Sequence, residues 1–241
     1  DFNGCISSIT GIEITEYTEI VAFLDENSFI NLLCNGDSNG VINIDVTGGV
    51  EPYTYLWSNG STNQNIDGLI AGTYTLEITD LEGCSGTFVQ EINEPTQLNV
   101  VIDNIIEVSC FGGSDGEINA SVSGGTPGYS YEWFNSLGAL VGNSLSITNI
   151  PSDEYTLIAT DLNGCSETET IDLIQPDQLS LNEIIVDVEC YGENSGEIIL
   201  NVTGGVEPYT YLWSNGSTNS SISNLFEGIY SVEVTDFNNC T

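Results

Sequence analysis

The chain reads as all-β, a tandem array of small seven-stranded sandwich domains, and three observations predict this. The block VTGGVEPYTYLWSNGSTN occurs at Val46–Asn63 and again, unchanged, at Val202–Asn219, with a looser copy, VSGGTPGYSYEWF, at Val122–Phe134. The rest of the chain repeats around these blocks with a period of roughly 76 to 81 residues, as tandem copies of one module do. Within each copy apolar residues alternate with polar ones at period two, the signature of half-buried strands, and no segment carries a helical period.

Residues 1–17 correspond to the terminal strand of a preceding copy. They are followed by a first copy over 18–95, a second over 96–176 and a third over 177–241 that lacks its last strand. The chain opens with DFNGC and closes with DFNNCT, the same point of the repeat, so it reads as a window of a longer array. Pro95 and Pro176 mark joints too short for a flexible linker.

Along a copy, Ile42, Ile44 and Val46 (Ile118, Ala120, Val122; Ile198, Leu200, Val202) share one face of an early strand. The glycine pairs 48–49, 124–125 and 204–205 follow, where the chain must cross to the opposite sheet through backbone angles that glycine tolerates. The next strand carries Tyr53, Tyr55 and Trp57 or their equivalents, and the Asn-Gly pairs 59–60 and 215–216 then signal a hairpin. The middle copy has no such pair and has Gly128 where the others have Pro. A later strand turns Tyr74, Leu76 and Ile78 inward and Thr or Glu outward.

Counting turns in the middle copy gives seven strands. Trp57, Trp133 and Trp213 stand on the third strand, and Tyr74, Tyr155 and Tyr230 open the sixth in the manner of a tyrosine corner. The module is therefore immunoglobulin-like, with these six residues in its cores. The Tyr and Trp cluster would also suit a carbohydrate platform, but its place on the apolar face argues for packing. An odd strand count puts the termini at opposite ends, so copies are expected to stack as a rod of units ~35 to 45 Å long.

Charge is the most unusual feature. The chain has 36 Asp and Glu, no Lys, no Arg and no His. The acids are spread through the copies, with 12 in 18–95, 11 in 96–176 and 10 in 177–241, as on a solvated surface rather than a tail. Phosphate binding rests on Lys and Arg, so nucleic acid is excluded as a partner and anionic lipid is disfavoured. No run reaches the ~18 apolar residues that a membrane-spanning helix needs, so no membrane insertion is expected. Catalysis would fall to carboxylate pairs alone, and 36 acids produce suitable pairs by chance, so no catalytic residue and no enzyme is read here.

The one cofactor such a surface could hold is a hard divalent cation, calcium above all. The weak candidates are Asp37, Asp115 and Glu193 in the turns after the first strand, and Asp80, Asp161 and Asp236 in a late hairpin. In the first set the acid wanders between copies, as turn residues do and required ligands do not. The second set stays in place, where Asp commonly caps its own backbone. No cofactor is therefore expected.

Seven cysteines fall into two classes: Cys34, Cys110 and Cys190 after the first strand, and Cys5, Cys84, Cys165 and Cys240 after the sixth. With no His and no C-x-x-C spacing they read as disulfides of an oxidising compartment. Two pairings stand. Bonds within a copy would be 34–84, 110–165 and 190–240, but seven strands would separate those sites by roughly 20 Å against the ~7 Å that a disulfide allows between Cα atoms. Bonds across a joint, 34–165 and 110–240, suit stacked copies and are favoured, leaving Cys5, Cys84 and Cys190 for copies outside the window.

Together, C-x-G-x-x-x-G at Cys34–Gly40, GG-x-x-PYTY-x-W with SNG at Gly48–Gly60, GTYTLEITD-x-x-GC at Gly72–Cys84 and the closing Gln175-Pro176 resemble the SprB-type repeats of the gliding-motility cell-surface adhesin of Bacteroidetes. The resemblance covers almost the whole chain, although each piece alone would fit a polycystic-kidney-disease-type domain. It implies type IX secretion, a filament on the outside of a bacterial cell, and a part in adhesion and gliding. The implied partners are neighbouring repeats of the same chain, with anchoring and motility machinery elsewhere in the full protein. The reading is a stiff stalk segment. The alternative is a module in which each copy binds a glycan or a divalent ion.

Overall fold

In a computed structural model, residues 9–25 and 29–241 are described, and all their regular elements are strands. The expectations placed on Asp1 and Cys5 lie outside the described residues. The chain divides into two compact units, Asp1–Gln97 and Leu98–Thr241.

The first unit contains β1 (Val21–Leu24), β2 (Gly40–Ile42), β3 (Ile44–Thr47), β4 (Thr54–Trp57), β5 (Ile66–Leu69), β6 (Gly72–Thr79) and β7 (Ser85–Ile92). β2 and β3 are one strand interrupted at Asn43. β1 pairs with β3 and β2 with β5 on one side, and β4-β6-β7 form the facing sheet. The core between them gathers Ile42, Ile44, Trp57, Leu76, Ile78 and Ile92, whose side chains are almost wholly buried. Residues 9–17, expected as a terminal strand, form none and stand in solvent.

The second unit begins with a complete seven-stranded sandwich: β8 (Asn99–Ile106), β9 (Gly116–Ser123), β10 (Ser130–Asn135), β11 (Leu140–Gly142), β12 (Ser146–Ile150), β13 (Asp153–Thr160) and β14 (Ser166–Leu173). The sheets are β12-β9-β8 and β11-β10-β13-β14, all pairs antiparallel. This is immunoglobulin-like order, reached because the long strands β9 and β13 bury alternate residues and the chain changes sheet at the glycine pair, between β11 and β12 and at the β12–β13 corner. The unit continues with β15 (Ser180–Val186), β16 (Gly196–Thr203), β17 (Thr210–Trp213), β18 (Ser221–Leu225) and β19 (Val232–Thr235), in sheets β15-β16-β18 and β17-β19.

The tryptophans sit at the centres of the cores, Trp57, Trp133 and Trp213 all being buried. A buried indole N–H needs an acceptor, and each finds a backbone carbonyl: Asn63 O, Ser144 O and Asn219 O at 2.8–2.9 Å. Tyr74, Tyr155 and Tyr230 donate their hydroxyls to the carbonyls four residues back, Ile70, Pro151 and Phe226, which pins the corner into the sixth strand. Tyr155 is wholly buried, whereas Tyr230 is only half-buried.

The Asn-Gly hairpins and their middle-copy replacement use one turn geometry. Gly60 N–H donates to Trp57 O and Trp57 N–H to Ser61 O, with Gly60 at φ 86°. Gly216 repeats this against Trp213. In the middle copy Gly138, at φ 73°, donates to Asn135 O, so the hairpin closes two residues further on and leaves room for β11. The left-handed glycine is the last residue of a three-residue loop rather than part of a two-residue Asn-Gly turn.

Removing the Tyr155 hydroxyl isolates one corner bond. Tyr155→Phe is expected to cost about 1 kcal/mol, a fall of roughly 4–8 °C in the melting temperature of a domain this size, measurable by calorimetry. No change in melting temperature would mean that the corner bond contributes nothing.

Candidate functional site

The hairpin between the sixth and seventh strands is organised by an aspartate. Asp80, Asp161 and Asp236 are buried, and each accepts three backbone N–H bonds. One carboxylate oxygen takes the N–H groups two and four residues on (Glu82 and Cys84, Asn163 and Cys165, Asn238 and Cys240). The other oxygen takes the N–H of Val50, Thr126 or Val206, just past the glycine pair. All nine bonds measure 2.8–3.0 Å.

The glycine pair exists for this contact. A Cβ on Gly49, Gly125 or Gly205 would lie 2.8–2.9 Å from the carboxylate, and one on Gly48 or Gly204 would strike the backbone of Glu19 or Gln178. All these glycines have φ between 58° and 82°. Both close approach and backbone angle therefore require glycine.

The Thr126 N–H holds the Asp161 carboxyl below its ordinary pKa, against the upward push of burial, with the Cys165 and Asn163 N–H groups adding to the lowering. Burial pushes Asp236 up, but the N–H groups of Val206, Cys240 and Asn238 together outweigh it and leave the carboxyl lowered. A carboxyl lowered by folding stabilises the fold above its unfolded pKa of about 3.9 and loses that contribution as pH falls through the folded value.

The turns after the first strand are equally economical. Gly36 N–H donates to Glu94 Oε2 and Gly112 N–H to Gln175 Oε1, at 2.7 and 2.8 Å, which explains the acid or amide before each closing proline. Asp115 accepts from the N–H and the hydroxyl of Ser109, and the hydroxyl bond lowers its pKa most. Ser195 takes the same place against Glu189 N–H, so the acid wanders because a hydroxyl also caps this turn. Asp37 and Glu193 sit two positions earlier in the turn, their own N–H groups closing onto Cys34 O and Cys190 O. Among the described residues no group of three or more His, Cys, Asp or Glu could hold a metal ion.

Two of these turns meet within the second unit. Cys110, in the turn after β8, is bonded to Cys240, in the hairpin after β19, with Cα atoms 5.7 Å apart and 130 residues between them in sequence. Beside the bond Asn238 donates its side-chain N–H to Ser109 O at 2.8 Å. Asp236 holds the N–H groups of both Asn238 and Cys240, so one buried carboxylate presents both contacts. The connection from β14, ending at Leu173, to β15, starting at Ser180, is itself tied down where Gly205 N–H donates to Asp177 O. Cys34 and Cys165 are also disulfide-bonded, whereas Cys84 and Cys190 are exposed thiols.

Residues 27–62, 103–138 and 182–218 match one family, the SprB repeat. Three stretches of the chain are therefore similar to the SprB repeat. The first match opens after β1 and the other two within β8 and β15, and each runs through the glycine pair and the aromatic strand, so the disulfide joins the turn inside one matched stretch to a hairpin that follows the next. No curated protein matches the chain. Solved structures similar to it include Sidekick-1 immunoglobulin domains 1–5, at 12% identity and a TM-score of 0.38, covering 93% of this chain and 57% of that one. Another is surface layer protein SbsC, domains 4–9, at 12% identity and a TM-score of 0.30, covering 87% and 38%. A third is a tetra-tandem repeat in the extending region of a large adhesion protein, at 13% identity and a TM-score of 0.25, covering 91% and 63%. The chain thus spans under two thirds of each.

Asp236→Asn, which keeps the shape and loses the charge, should lower the urea midpoint of the second unit at pH 7. The gap from the parent protein should begin to narrow as pH falls below about 4, where the unfolded chain takes up a proton at this position, and should close only as pH falls through the lowered pKa of the folded carboxyl. A gap that stays constant from pH 7 to pH 3 would contradict the assignment.

Proposed function

We propose that this chain is a stalk segment of a secreted bacterial surface adhesin, built from repeats bounded at 18–95, 96–176 and 177–241 and acting in adhesion and gliding. The observation that carries the reading is the Cys110–Cys240 bond between successive repeats. A module that binds ligand on its own needs no covalent tie to its neighbour, whereas a stalk gains orientation and tensile strength from one.

The acids support the same reading. With 36 acids and no basic side chain, neighbouring filaments repel within a Debye length of ~8 Å, and trypsin-like proteases find no site to cut. The carboxylates that recur in the repeats are taken up by backbone N–H groups, which leaves little for a dedicated calcium site. Cys34 and Cys165 occupy the repeat positions of Cys110 and Cys240, so we assign them the same clamp, and Cys5, Cys84 and Cys190 the same role toward further copies.

Under tension the Cys110–Cys240 bond takes the residues between them out of the path of force. Pulling the oxidised chain by its ends, then reducing it, should lengthen the final extension by on the order of 500 Å, at ~3.3–3.6 Å per released residue, because the 110–240 bond and the assigned 34–165 bond together leave only residues 110–165 of the stretch 34–240 in the path of force. If reduction adds no length, the clamp carries no force and the stalk reading loses its main support.

A further inference from the structure

The two sides of the middle sandwich differ in charge. The edge strands β11 and β12 lie beside each other on one side, and β8 and β14 on the other. The β8–β14 side is acidic, with Asp103 on β8 and Glu167, Glu169 and Asp172 on β14. The β11–β12 side is not, for no Asp or Glu occurs from Trp133 to Ser152. Asp153, which follows, is taken up by the Ser136 hydroxyl. The equivalent stretches of the other copies, Pro52–Ile66 and Pro208–Phe226, also lack acids.

On this uncharged side the middle copy builds an extra strand. Ile66, Ile147 and Ile222 are equivalent, since each pairs with the isoleucine of the early strand, Ile42, Ile118 or Ile198. Trp133 and Ile147 are 14 residues apart, whereas Trp57 and Ile66, like Trp213 and Ile222, are 9 apart. The five added residues make room for β11 and exchange a loop of Ser, Asn and Thr for one with Leu137, Ala139, Leu140 and Val141.

These side chains face water on a fixed frame. Leu137, Leu140 and Val141 are 89%, 58% and 39% exposed. The register between β10 and β11 shifts at Val141, which breaks the alternation and leaves two successive apolar residues outside. Asn135 Oδ1 accepts the N–H groups of Leu137 and Ala139 and so holds the loop in shape. β11 pairs with β10 alone and is the edge of its sheet. Edge strands are ordinarily guarded by charged side chains. The opposite edge, β14, carries three acids, and β11 carries none.

We infer that the β11 edge packs against the β11 edge of a second copy of this chain, side by side about a two-fold axis. Charge selects the occupant. A basic partner is drawn to the acidic faces, whereas a second acidic chain approaches where carboxylates are absent. In the pair, Glu132 on β10 stands at least three strand spacings from its counterpart, roughly 14 Å, beyond a Debye length of ~8 Å. Leu140 and Val141 of each chain leave water against the same residues of the other. Because one patch meets itself, the contact is isologous and closes at two chains. The acids thus keep filaments apart on their other sides and leave this edge for lateral pairing.

The test is sedimentation of the 241-residue protein, its free thiols alkylated, over a wide range of concentration and salt. A reversible dimer is expected, tightening with added salt as the remaining acids are screened. Leu140→Asp, at an exposed side chain, should leave the melting temperature unchanged and raise the dimer Kd ~100-fold, roughly tenfold for each of its two occurrences. Leu56→Asp, at a leucine of the first copy that is 54% exposed, should leave the Kd as it was. Hydrogen exchange should slow at Leu137–Gly142 on dimerisation. A protein that stays monomeric at every concentration and salt, which would leave the edge to a partner of another kind, overturns the inference. So does a dimer as sensitive to Leu56→Asp as to Leu140→Asp, or exchange protection that leaves out Leu137–Gly142.

Discussion

Each sandwich depends on one buried carboxylate. Asp80, Asp161 and Asp236 accept N–H groups from their own hairpin and from the crossing loop of the opposite sheet, so a single side chain fixes two connections that have no sequence neighbours in common. Three N–H donors compensate the loss of water around a charge that would otherwise be costly to bury. The demand passes to the glycine pair, where any side chain would displace the carboxylate. It passes also to the cysteine four residues on, whose N–H the same oxygen holds. Fold and joint are thus set by the same group.

The chain's charge fits around this arrangement. With no cation available, no acid can be neutralised by an ion pair, so a carboxylate is either solvated or bonded to backbone N–H. The buried carboxylates take the second course in full, and among the described residues no buried side-chain nitrogen or oxygen lacks a partner. The surface acids take the first and set neighbouring molecules apart. An all-acidic exterior over an apolar, aromatic core is a workable division because β-strands sort the two classes onto opposite faces at every second residue.

Exchange between copies separates required positions from tolerant ones. The turn after the first strand accepts Asp115 or Ser195 because either caps the same N–H. The position before the closing proline accepts Glu94 or Gln175 because both offer a carbonyl-type oxygen to a glycine N–H. Asn239 replaces Gly83 and Gly164 at a left-handed position, φ 67°, that asparagine also adopts. The hairpin aspartate and the glycine pair show no such exchange, since neither the three bonds nor the approach distance has a substitute.

Much of the fold was legible in the sequence. Period-two alternation marked the strands, the spacing of Trp and Tyr marked the third and sixth of them, and the internal repeat showed which positions are equivalent. All of these are local or periodic properties, carried by neighbouring residues in one strand. Tertiary structure decided the rest. The constant Asp reads in sequence as a turn cap, and nothing local reveals that its second oxygen reaches the N–H of a residue 30 to 35 positions away. The middle hairpin closes at Asn135 rather than at Trp133 because Gly138 supplies the left-handed angle two residues later. That Cys110 meets Cys240 depends on how segments 130 residues apart are brought side by side, which sequence spacing constrains but only packing settles.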